Sequence, residues 1–341
     1  MSKLPSEVDV TLDLPRTRHM SAGMQTYADE LAARLPRVAP DLRFAVLERD
    51  RTLTLDEQIG LPFRLRASGA CLVHFLSLYA PALAPRPYVV TVHDLIHLRF
   101  PEQFKRGVGP YYRSVVRAVC ARAARVITDD NRTVDDLTRF LGVPPAKVRV
   151  IPLGIGAPYV EDVAPAPRAR TYFLYVGNHR PHKDLATLFA AWEALPADVD
   201  ADLVLTGPDD FAAAARPRRS AGSFHVLGEV EVERLRHLYR DAAALVSPSL
   251  CEGFGLPLLE AAAVGTRVIA SSEAVPQSLA AHVDRFAPRD VSALAALMAD
   301  AARAPGRRLE AQRFARTQTW DRCAELTAEV YRELLEQNRK A

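Results

Sequence analysis

Two glutamates flank a glycine-containing turn in the second half of the chain. Glu252 and Glu260 are separated by seven residues within the stretch SPSLCEGFGLPLLEA. The pattern predicts a strand that ends at Ser247, a loop, and a helix that begins near Leu256 with Pro257 in its first turn, where proline is tolerated. Amides at a helix start bind anions, and carboxylates on both sides of an anion suit hydroxyl groups, a ribose at one end and a sugar at the other. A capped helix with two solvated glutamates explains the spacing equally well.

A second segment, YFLYVGNHRPHKDL, combines a glycine with a lysine. It predicts a strand that ends at Gly177 and a helix with Asp184 as its N-cap. Arg180 and Lys183 then lie beside a helix N-terminus, where positive charge is unfavourable. A bound phosphate would compensate these charges, and two solvated surface cations are the alternative. The composition makes Lys183 more informative, because only 5 of the 44 basic residues are lysines.

Two further segments lie in the first half of the chain. His93 lies at the end of a predicted strand in TVHDLIH and is expected to face the cleft beyond the sheet, although a lone histidine is more often structural. Ser21–Tyr27, with the sequence SAGMQTY, predicts a small-residue loop in which Gly23 lets a ligand approach the backbone. We find no GxGxxG fingerprint after any predicted strand, which disfavours a dehydrogenase.

The elements that must position these residues alternate between strand and helix along the whole chain. A length of 341 residues suits two domains of roughly 150 residues each. The alternation indicates doubly wound parallel sheets, whose ligands bind beyond the carboxyl ends of the strands. The proline-containing segment 154–170 interrupts the alternation and is predicted to be the linker. The expected site is therefore the cleft between two such units.

The predicted strands share short, apolar, β-branched runs. They lie at 8–14, 44–47, 71–75, 88–92, 126–128, 148–153, 173–176, 203–206, 225–227, 244–247 and 267–270. The predicted helices, which share apolar spacings of three and four, include one from about 24 and others at 110–124, 231–241, 256–264 and 321–338.

Composition narrows the class of protein. Apolar residues make up 49% and charged residues 25%, which is typical of a globular chain. A net charge of +3 does not by itself indicate nucleic-acid binding. No apolar run reaches the roughly 18–20 residues of a membrane span, and the first residues lack a signal-peptide pattern. The four cysteines are not spaced as a zinc site and are expected to be reduced, buried thiols, at Cys71, Cys120, Cys251 and Cys323.

Together these segments resemble the retaining glycosyltransferases of family 4, a GT-B group that uses nucleotide-sugar donors. The two glutamates with GFGLPLLEA match the family signature, and VGNHRPHKDL is similar to its second donor motif. TVHDLIHLRFPE and KVRVIPLGI resemble its N-terminal and linker markers. The resemblance covers most of the chain and implies an α/β fold of two Rossmann-like domains facing a central cleft. Residues 1–155 with the C-terminal helix 321–341 would form the acceptor-side domain, and 171–320 the nucleotide-sugar-binding domain.

The resemblance implies a role for each matching residue. Glu260 would bind the ribose hydroxyls and Glu252 the hydroxyls of the donor sugar. Lys183 would neutralise the leaving diphosphate, His93 would lie near the transferred sugar, and Gly23 would close on the phosphates. The catalytic set is thus His93, Lys183 and Glu252. The donor-binding set adds Gly23, Gly177, Asn178, Arg180, Gly253, Phe254, Gly255, Leu256 and Glu260.

Some positions depart from the family pattern. Asn178 stands where many members carry an arginine, so either Arg180 substitutes for it or a cation is lost. Ala22 replaces the first glycine of the N-terminal pair, and Cys251 replaces a bulkier or polar residue.

The implied reaction transfers a hexose from a nucleotide-diphosphate sugar with retention, to a saccharide, lipid-linked or small-molecule acceptor. TVHDLIHLRFPE is similar to mannosyltransferases of surface-polysaccharide assembly, which slightly favours GDP-mannose. Neither glutamate suits a double displacement if both bind hydroxyls, so the leaving phosphate would take the acceptor proton. No metal or other cofactor is expected. The Asp-x-Asp sequence Asp198-Val-Asp200 lies in a predicted turn and is not expected to bind a metal.

Alternatives remain open at this level. Another GT-B nucleotide-sugar enzyme, such as an epimerase, would bind the donor without an acceptor, and a non-catalytic partner subunit would bind it without turnover. No nucleic-acid partner is expected, and the oligomeric state is undetermined. The protein is expected to be cytoplasmic. A helix with arginines on one side is expected to be solvated, with contact to an anionic membrane surface as the minority alternative. Its arginines are Arg113, Arg117, Arg122 and Arg125.

Overall fold

The chain forms two compact units. The computed structural model describes residues 8–17, 19–85, 87–164, 170–209, 211 and 216–340. Unit 1 comprises Met1–Gly154 with Thr319–Ala341, and unit 2 comprises Ile155–Gln318. The described part of the predicted linker 154–170 lies almost wholly in unit 2, and residues 165–169 lie outside the described residues.

Unit 1 is built on a six-stranded sheet in which every described strand pair is parallel, in the order β2-β1-β3-β4-β5-β6. Its strands are β1 Val10–Pro15, β2 Phe44–Arg49, β3 Leu72–Phe75, β4 Tyr88–Thr91, β5 Arg125–Thr128 and β6 Val148–Val150. All residues of β1, β3 and β4 are buried, because helices cover both faces of a parallel sheet.

Unit 2 repeats this architecture with the order β12-β11-β10-β7-β8-β9, again with parallel pairs. Its strands are β7 Thr171–Tyr175, β8 Ala201–Leu205, β9 Phe224–Val226, β10 Ala244–Ser247, β11 Val268–Ser271 and β12 Asp284–Phe286. The strand order reverses between the neighbours β7 and β10. In open α/β sheets, ligands bind beyond the carboxyl ends of the strands at this switch point.

Helices connect the strands in both units. Those of unit 1 are α1 Ala22–Val38, α2 Leu55–Gln58, α3 Gly60–Ala67, α4 Ile96–Arg99, α5 Val108–Tyr111, α6 Arg117–Arg122 and α7 Asn131–Leu141. Those of unit 2 are α8 Ala157–Val160, α9 Leu185–Glu193, α10 Val232–Asp241, α11 Leu256–Val264, α12 Val291–Arg303 and α13 Leu309–Thr317. A last helix, α14 Trp320–Lys340, returns to unit 1. None of the helices in the described ranges is long and apolar enough to cross a bilayer.

The helix α14 completes the core of unit 1. The Tyr331 hydroxyl lies 2.5 Å from Nδ1 of His74, and Nε2 of His74 lies 2.8 Å from the Thr91 hydroxyl. All three side chains are fully buried. Trp320, at the start of α14, is also buried, with its ring 6.4 Å from that of Tyr27 on α1. Unit 1 is therefore made from two segments that are far apart in sequence.

Several predicted details are wrong. The predicted loop Ser21–Tyr27 is helical from Ala22, because the Ser21 hydroxyl caps α1 by accepting a hydrogen bond from the Met24 amide at 3.3 Å. The predicted helix 110–124 contains a π-helical turn at Tyr112–Val116 and ends at Arg122, and Arg125, which was placed among its arginines, begins β5. The cysteines are free, but one of them, Cys71, is only half-buried.

Candidate functional site

Two loops meet beyond the carboxyl ends of β7 and β10. The chain leaves β7 through Gly177 and makes a 3₁₀ turn at Pro181–Lys183. The chain that leaves β10 runs to the start of α11. The amide of Leu250 donates a hydrogen bond to the carbonyl of His182 at 2.8 Å, which ties the second loop to the first. The two sequence segments predicted to bind a donor are thus joined in one unit.

Lys183 and Glu252 form an ion pair at this junction. Nζ of Lys183 lies 2.6 Å from each carboxylate oxygen of Glu252, and the Ser249 hydroxyl donates to the same carboxylate at 2.7 Å. The side chains are 13% and 16% exposed. Burial raises the pKa of Glu252, but the charge of Lys183 and the hydrogen bonds outweigh it, so this pKa is lowered. The carboxylate of Glu252 is therefore ionised. The cation that it pairs with, Lys183, is itself one of the predicted site residues.

This pairing changes the charge balance expected around Lys183 in the free protein. The sequence predicts an uncompensated cation beside a helix N-terminus, whereas Glu252 already supplies the opposite charge. Asp184 also differs from its predicted capping role. It occupies the N-cap position in the left-handed conformation, with φ 51°, and its carboxylate accepts from the Thr187 hydroxyl at 2.7 Å instead of capping an amide.

Gly255 sets the start of α11. Its φ of 79° is left-handed, and a Cβ atom there would lie 3.3 Å from Cδ1 of Leu258. The helix begins at the next residue, Leu256, as predicted. Phe254 is buried, whereas Gly253 and Leu256 are partly exposed. Gly253 and Gly255 therefore leave two positions of this turn without a side chain, which suits an anion-binding helix start.

Glu260 lies one turn into α11 and is held by a residue that the sequence analysis missed. The hydroxyl of Tyr239, on α10, donates to Oε2 of Glu260 at 2.8 Å. The ring of Tyr159 packs edge-on against Tyr239, with centroids 6.0 Å apart. Burial raises the pKa of Glu260 to about 7, although the hydrogen bond from Tyr239 opposes this shift. Glu260 is thus a carboxylate whose charge changes near neutral pH.

The remaining predicted residues of unit 2 lie on the turn after β7. The Tyr175 hydroxyl donates to the carbonyl of Asn178 at 2.5 Å, and the Asn178 side chain accepts from the Arg180 amide at 3.3 Å. Asn178 and Arg180 are exposed, and Gly177 has a φ of 149°. Within the described ranges, the Arg180 guanidinium pairs with no carboxylate. Arg180 is therefore a cation available to a ligand, three residues from Lys183.

In unit 1, His93 lies just beyond the carboxyl end of β4. Its Nδ1 is 2.6 Å from Oδ2 of Asp129, which follows the neighbouring strand β5. The Tyr27 ring packs edge-on against the imidazole at 4.6 Å. Burial lowers the pKa of His93, but the adjacent Asp129 outweighs it, so this pKa is raised. Nε2 of His93 is buried and has no hydrogen-bond partner in the part of the chain that the structure describes. This leaves one ring nitrogen for a ligand.

Gly23 and the Asp-x-Asp sequence complete the predicted set. Gly23 lies in the first turn of α1 and not in a loop. Asp198 pairs with Arg303 at 2.9 Å, and Asp200 forms an ion pair with Arg170. Among the described residues there is no group of three or more potential metal ligands.

Comparison with known families identifies the class. The model for "Glycosyltransferase Family 4" matches residues 21–157, and the model for "Glycosyl transferases group 1" matches residues 161–318. The chain therefore belongs to glycosyltransferase family 4, as its motifs predict.

Individual relatives agree with this assignment. The O-antigen chain mannosyltransferase RfbU of Salmonella typhimurium is 30% identical over 190 residues, which cover 54% of this chain and 52% of that protein. O-antigen chain mannosyltransferase B of Escherichia coli is 27% identical over 287 residues, covering 76% and 74%. The chain thus spans about half the length of the first relative and about three quarters of the second.

The fold agrees with that of solved structures. A sucrose-phosphate synthase from Thermosynechococcus elongatus superposes with a TM-score of 0.72 at 20% identity, over 97% of this chain and 100% of that chain. The two parallel six-stranded sheets with helices are those of a GT-B glycosyltransferase, which confirms the predicted fold class.

Proposed function

We propose that the protein transfers a hexose from a nucleoside-diphosphate sugar to a glycan or lipid-linked acceptor, with retention at the anomeric carbon. The observation that carries the proposal is the Lys183–Glu252 pair beyond the β7/β10 switch point, with Glu252 on the loop that leads into α11 and Glu260 one turn into that helix. The cation with the helix start, and the two carboxylates, match the three parts of a nucleotide sugar that they would bind: the diphosphate, the donor sugar and the ribose.

The roles follow from the chemistry of each group. Ionised Glu260 accepts hydrogen bonds from the ribose hydroxyls. Lys183, Arg180 and the amides at the start of α11 bind the diphosphate and stabilise the negative charge that develops as it leaves. Glu252 accepts hydrogen bonds from the hydroxyls of the donor sugar. In the transfer, the bond from the anomeric carbon to the diphosphate oxygen breaks and a bond to the acceptor oxygen forms on the same face. The leaving phosphate takes the acceptor proton.

His93 is proposed to act in the same reaction through Nε2. Asp129 on Nδ1 raises the pKa of His93 and so favours the protonated ring, in which Nε2–H is a charge-assisted donor to an oxygen of the bound nucleotide sugar. Asp129 is a positioning residue for this ring. Gly23 is proposed to lie near the phosphates when the donor is bound.

The donor and the acceptor are proposed from the relatives. Two relatives carry the name O-antigen chain mannosyltransferase, which supports GDP-mannose and a polysaccharide precursor. Contact with an anionic membrane is supported only by the exposure of Arg113 and Arg117 on the helical segment 108–122. Arg122 is half-buried, and Arg125 lies in β5 and does not extend this basic surface.

Thermal-shift measurements on a panel of nucleotides test the proposal. The panel pairs GDP with GDP-mannose, UDP with UDP-glucose and ADP with ADP-glucose. A ligand at a hundred times its Kd stabilises the folded state by about 2.7 kcal/mol. The nucleotide and nucleotide sugar that carry the correct base should therefore raise the unfolding midpoint, and the other two pairs should not. Glu260→Gln should reduce that shift. A panel without any shift contradicts the proposal.

Turnover assays separate the alternatives and test the metal prediction. A glycosyltransferase consumes the donor faster when an acceptor is present, whereas an epimerase converts it without one and a non-catalytic subunit only binds it. Because Lys183 and the backbone amides supply the positive charge, activity should survive EDTA. Complete loss that manganese or magnesium restores would contradict the role of Lys183.

A further inference from the structure

Lys183, which is proposed to bind the diphosphate, and Glu252, which is proposed to bind the donor sugar, form an ion pair with each other in the free protein. Nζ of Lys183 lies 2.6 Å from both oxygens of Glu252, so the ammonium group faces the whole carboxylate. The pair comes from two loops separated by 69 positions in sequence, which the Leu250–His182 backbone hydrogen bond holds together. A donor that takes Lys183 must therefore change the surroundings of Glu252.

Among the residues that the structure describes, few other groups contact Glu252 and could replace the lysine. The Ser249 hydroxyl donates one hydrogen bond at 2.7 Å, and His182, which is 3% exposed, interacts weakly with the carboxylate from the neighbouring turn. In the described part of the chain, the Tyr175 hydroxyl also interacts with the Glu252 carboxylate, but it donates its hydrogen bond to the Asn178 carbonyl. Burial alone favours the protonated form of Glu252. If Glu252 loses Lys183, an ionised carboxylate is left buried without a partner. This raises the free energy of the complex, because burying an unpaired charge is unfavourable.

We propose that the Lys183–Glu252 pair makes the site select the nucleotide sugar over the nucleoside diphosphate that remains after transfer. This inference rests on the proposed function. When a nucleotide sugar binds, its phosphates take Lys183 and the sugar hydroxyls donate to Glu252, so both partners are satisfied. When the bare diphosphate binds, Lys183 is drawn to the phosphate and Glu252 has no replacement donor. The ion pair then re-forms as the product leaves, which favours product release after each transfer.

Isothermal titration of the full chain tests the selection. The probes are GDP with GDP-mannose, or whichever nucleotide pair binds. The wild type should bind the nucleotide sugar about tenfold more tightly than the diphosphate, a difference of about 1.4 kcal/mol. Glu252→Gln should tighten diphosphate binding about tenfold, without tightening binding of the nucleotide sugar, so the preference disappears.

Glu260→Gln is the matched control on the same helix–loop segment. Because ribose is common to both ligands, this variant should weaken both equally and keep their ratio. An unchanged ratio in Glu252→Gln would overturn the inference while leaving nucleotide binding, and so the proposed function, intact. Failure of every nucleotide to bind the wild type would instead overturn the proposed function.

The number of protons taken up on ligand binding is a second measurement of the inference. It would not change if the Lys183–Glu252 pair had only a structural role. Titrations at about pH 8, where the terminal phosphate is already ionised, are repeated in buffers of different ionisation enthalpy. Diphosphate binding should take up more protons in the wild type than in Glu252→Gln, because the unpaired carboxylate becomes protonated. Lys183→Gln should also abolish this uptake, because in this variant Glu252 has no cation to lose when the ligand binds. Equal uptake in all three proteins would overturn the inference.

Discussion

Glu260 ionises close to neutral pH, and this has consequences for stability as well as for binding. Its pKa is raised from 4.5 to about 7 because the carboxyl group is buried against Tyr239. Between these two values the folded state binds more protons than the unfolded state. The contribution of Glu260 to the free energy of unfolding is therefore fully present below about pH 4.5 and falls as the pH rises to about 7.

Nucleotide affinity should change in the opposite direction. An ionised acceptor forms stronger hydrogen bonds to ribose hydroxyls than a protonated one, by about 1 kcal/mol or more. We expect the affinity for the nucleoside diphosphate to rise as the pH passes through about 7. Glu260→Gln should bind more weakly at high pH and should lack this rise. Titration calorimetry across this pH range measures the affinity of both proteins. The phosphate of the ligand titrates equally in both experiments, so subtracting one affinity profile from the other leaves the contribution of Glu260.

Tyr239→Phe is the matched control for this prediction. Removing the hydroxyl removes a hydrogen bond that lowers the pKa of Glu260, so the midpoint of the affinity profile should move to higher pH. A midpoint that is the same in wild type and Tyr239→Phe would contradict the assignment of the profile to Glu260.

Residue types could be predicted from the sequence, but their partners could not. The spacing of Glu252 and Glu260 around a helix start follows from local periodicity. The contact of Lys183 with Glu252 joins residues 69 positions apart, and Tyr239 reaches Glu260 from another helix. Such contacts depend on which loops meet beyond the sheet, and local spacing does not determine this. Asp129 was missed for the same reason.

At the scale of elements, the turn into α11 depends on one glycine. A side chain at Gly255 would have to adopt a φ of 79° with its Cβ 3.3 Å from Leu258. The left-handed conformation costs other residues about 1–2 kcal/mol. We expect Gly255→Ala to lower the thermal unfolding midpoint by roughly 2–8 °C and to weaken diphosphate binding, because the helix start shifts. Calorimetry with and without nucleotide measures both effects.

Gly107→Ala is the control for this substitution. Gly107 precedes α5 with a φ of −77°, and a Cβ atom there would meet nothing within 4 Å. Its effect should stay within about 0.5 kcal/mol, as for other exposed positions. Equal destabilisation by both variants would mean that the conformation of Gly255 is not what matters.

Elements with a strong local pattern match the sequence prediction closely. The strand at Ala244–Ser247 and the helix at Leu256–Val264 have the predicted bounds. The strand Asp284–Phe286 was not predicted, because it has three residues and only Phe286 is buried. The helices α2 and α3 were also missed; their exposed apolar residues, such as Leu55 and Phe63, do not follow an amphipathic pattern.

At the scale of the whole molecule, α14 satisfies a buried histidine of unit 1. Burial lowers the pKa of His74 to about 3, so the ring is neutral, with one donor and one acceptor nitrogen. Both nitrogens are used, by Tyr331 and Thr91. We expect Tyr331→Phe to destabilise unit 1 by about 1–3 kcal/mol, because it leaves a buried polar atom unpaired. Hydrogen exchange followed by mass spectrometry should show faster exchange in β3 and β4 and no change in unit 2.

Tyr172→Phe is the corresponding control in unit 2. The Tyr172 hydroxyl donates to the carbonyl of Leu238 at 2.5 Å, and the side chain is 2% exposed. Its loss should increase exchange in unit 2 alone. Equal effects on both units from either variant would contradict the division of the core into two independent parts.

The split composition of unit 1 also sets an order of events on the ribosome. Residues 155–318 are synthesised between the two segments of unit 1, and α14 follows them. At about 5–20 residues per second, the ribosome needs roughly 10–40 seconds to make the chain from Ile155 to the end of α14. During this interval the nascent unit 1 lacks Trp320 and Tyr331. The surface of α1 and β3 that α14 covers in the complete protein is then uncovered. Unit 2 can therefore finish folding before unit 1, although it is synthesised after most of unit 1. Until then, the uncovered surface of unit 1 is a place where chaperones can bind.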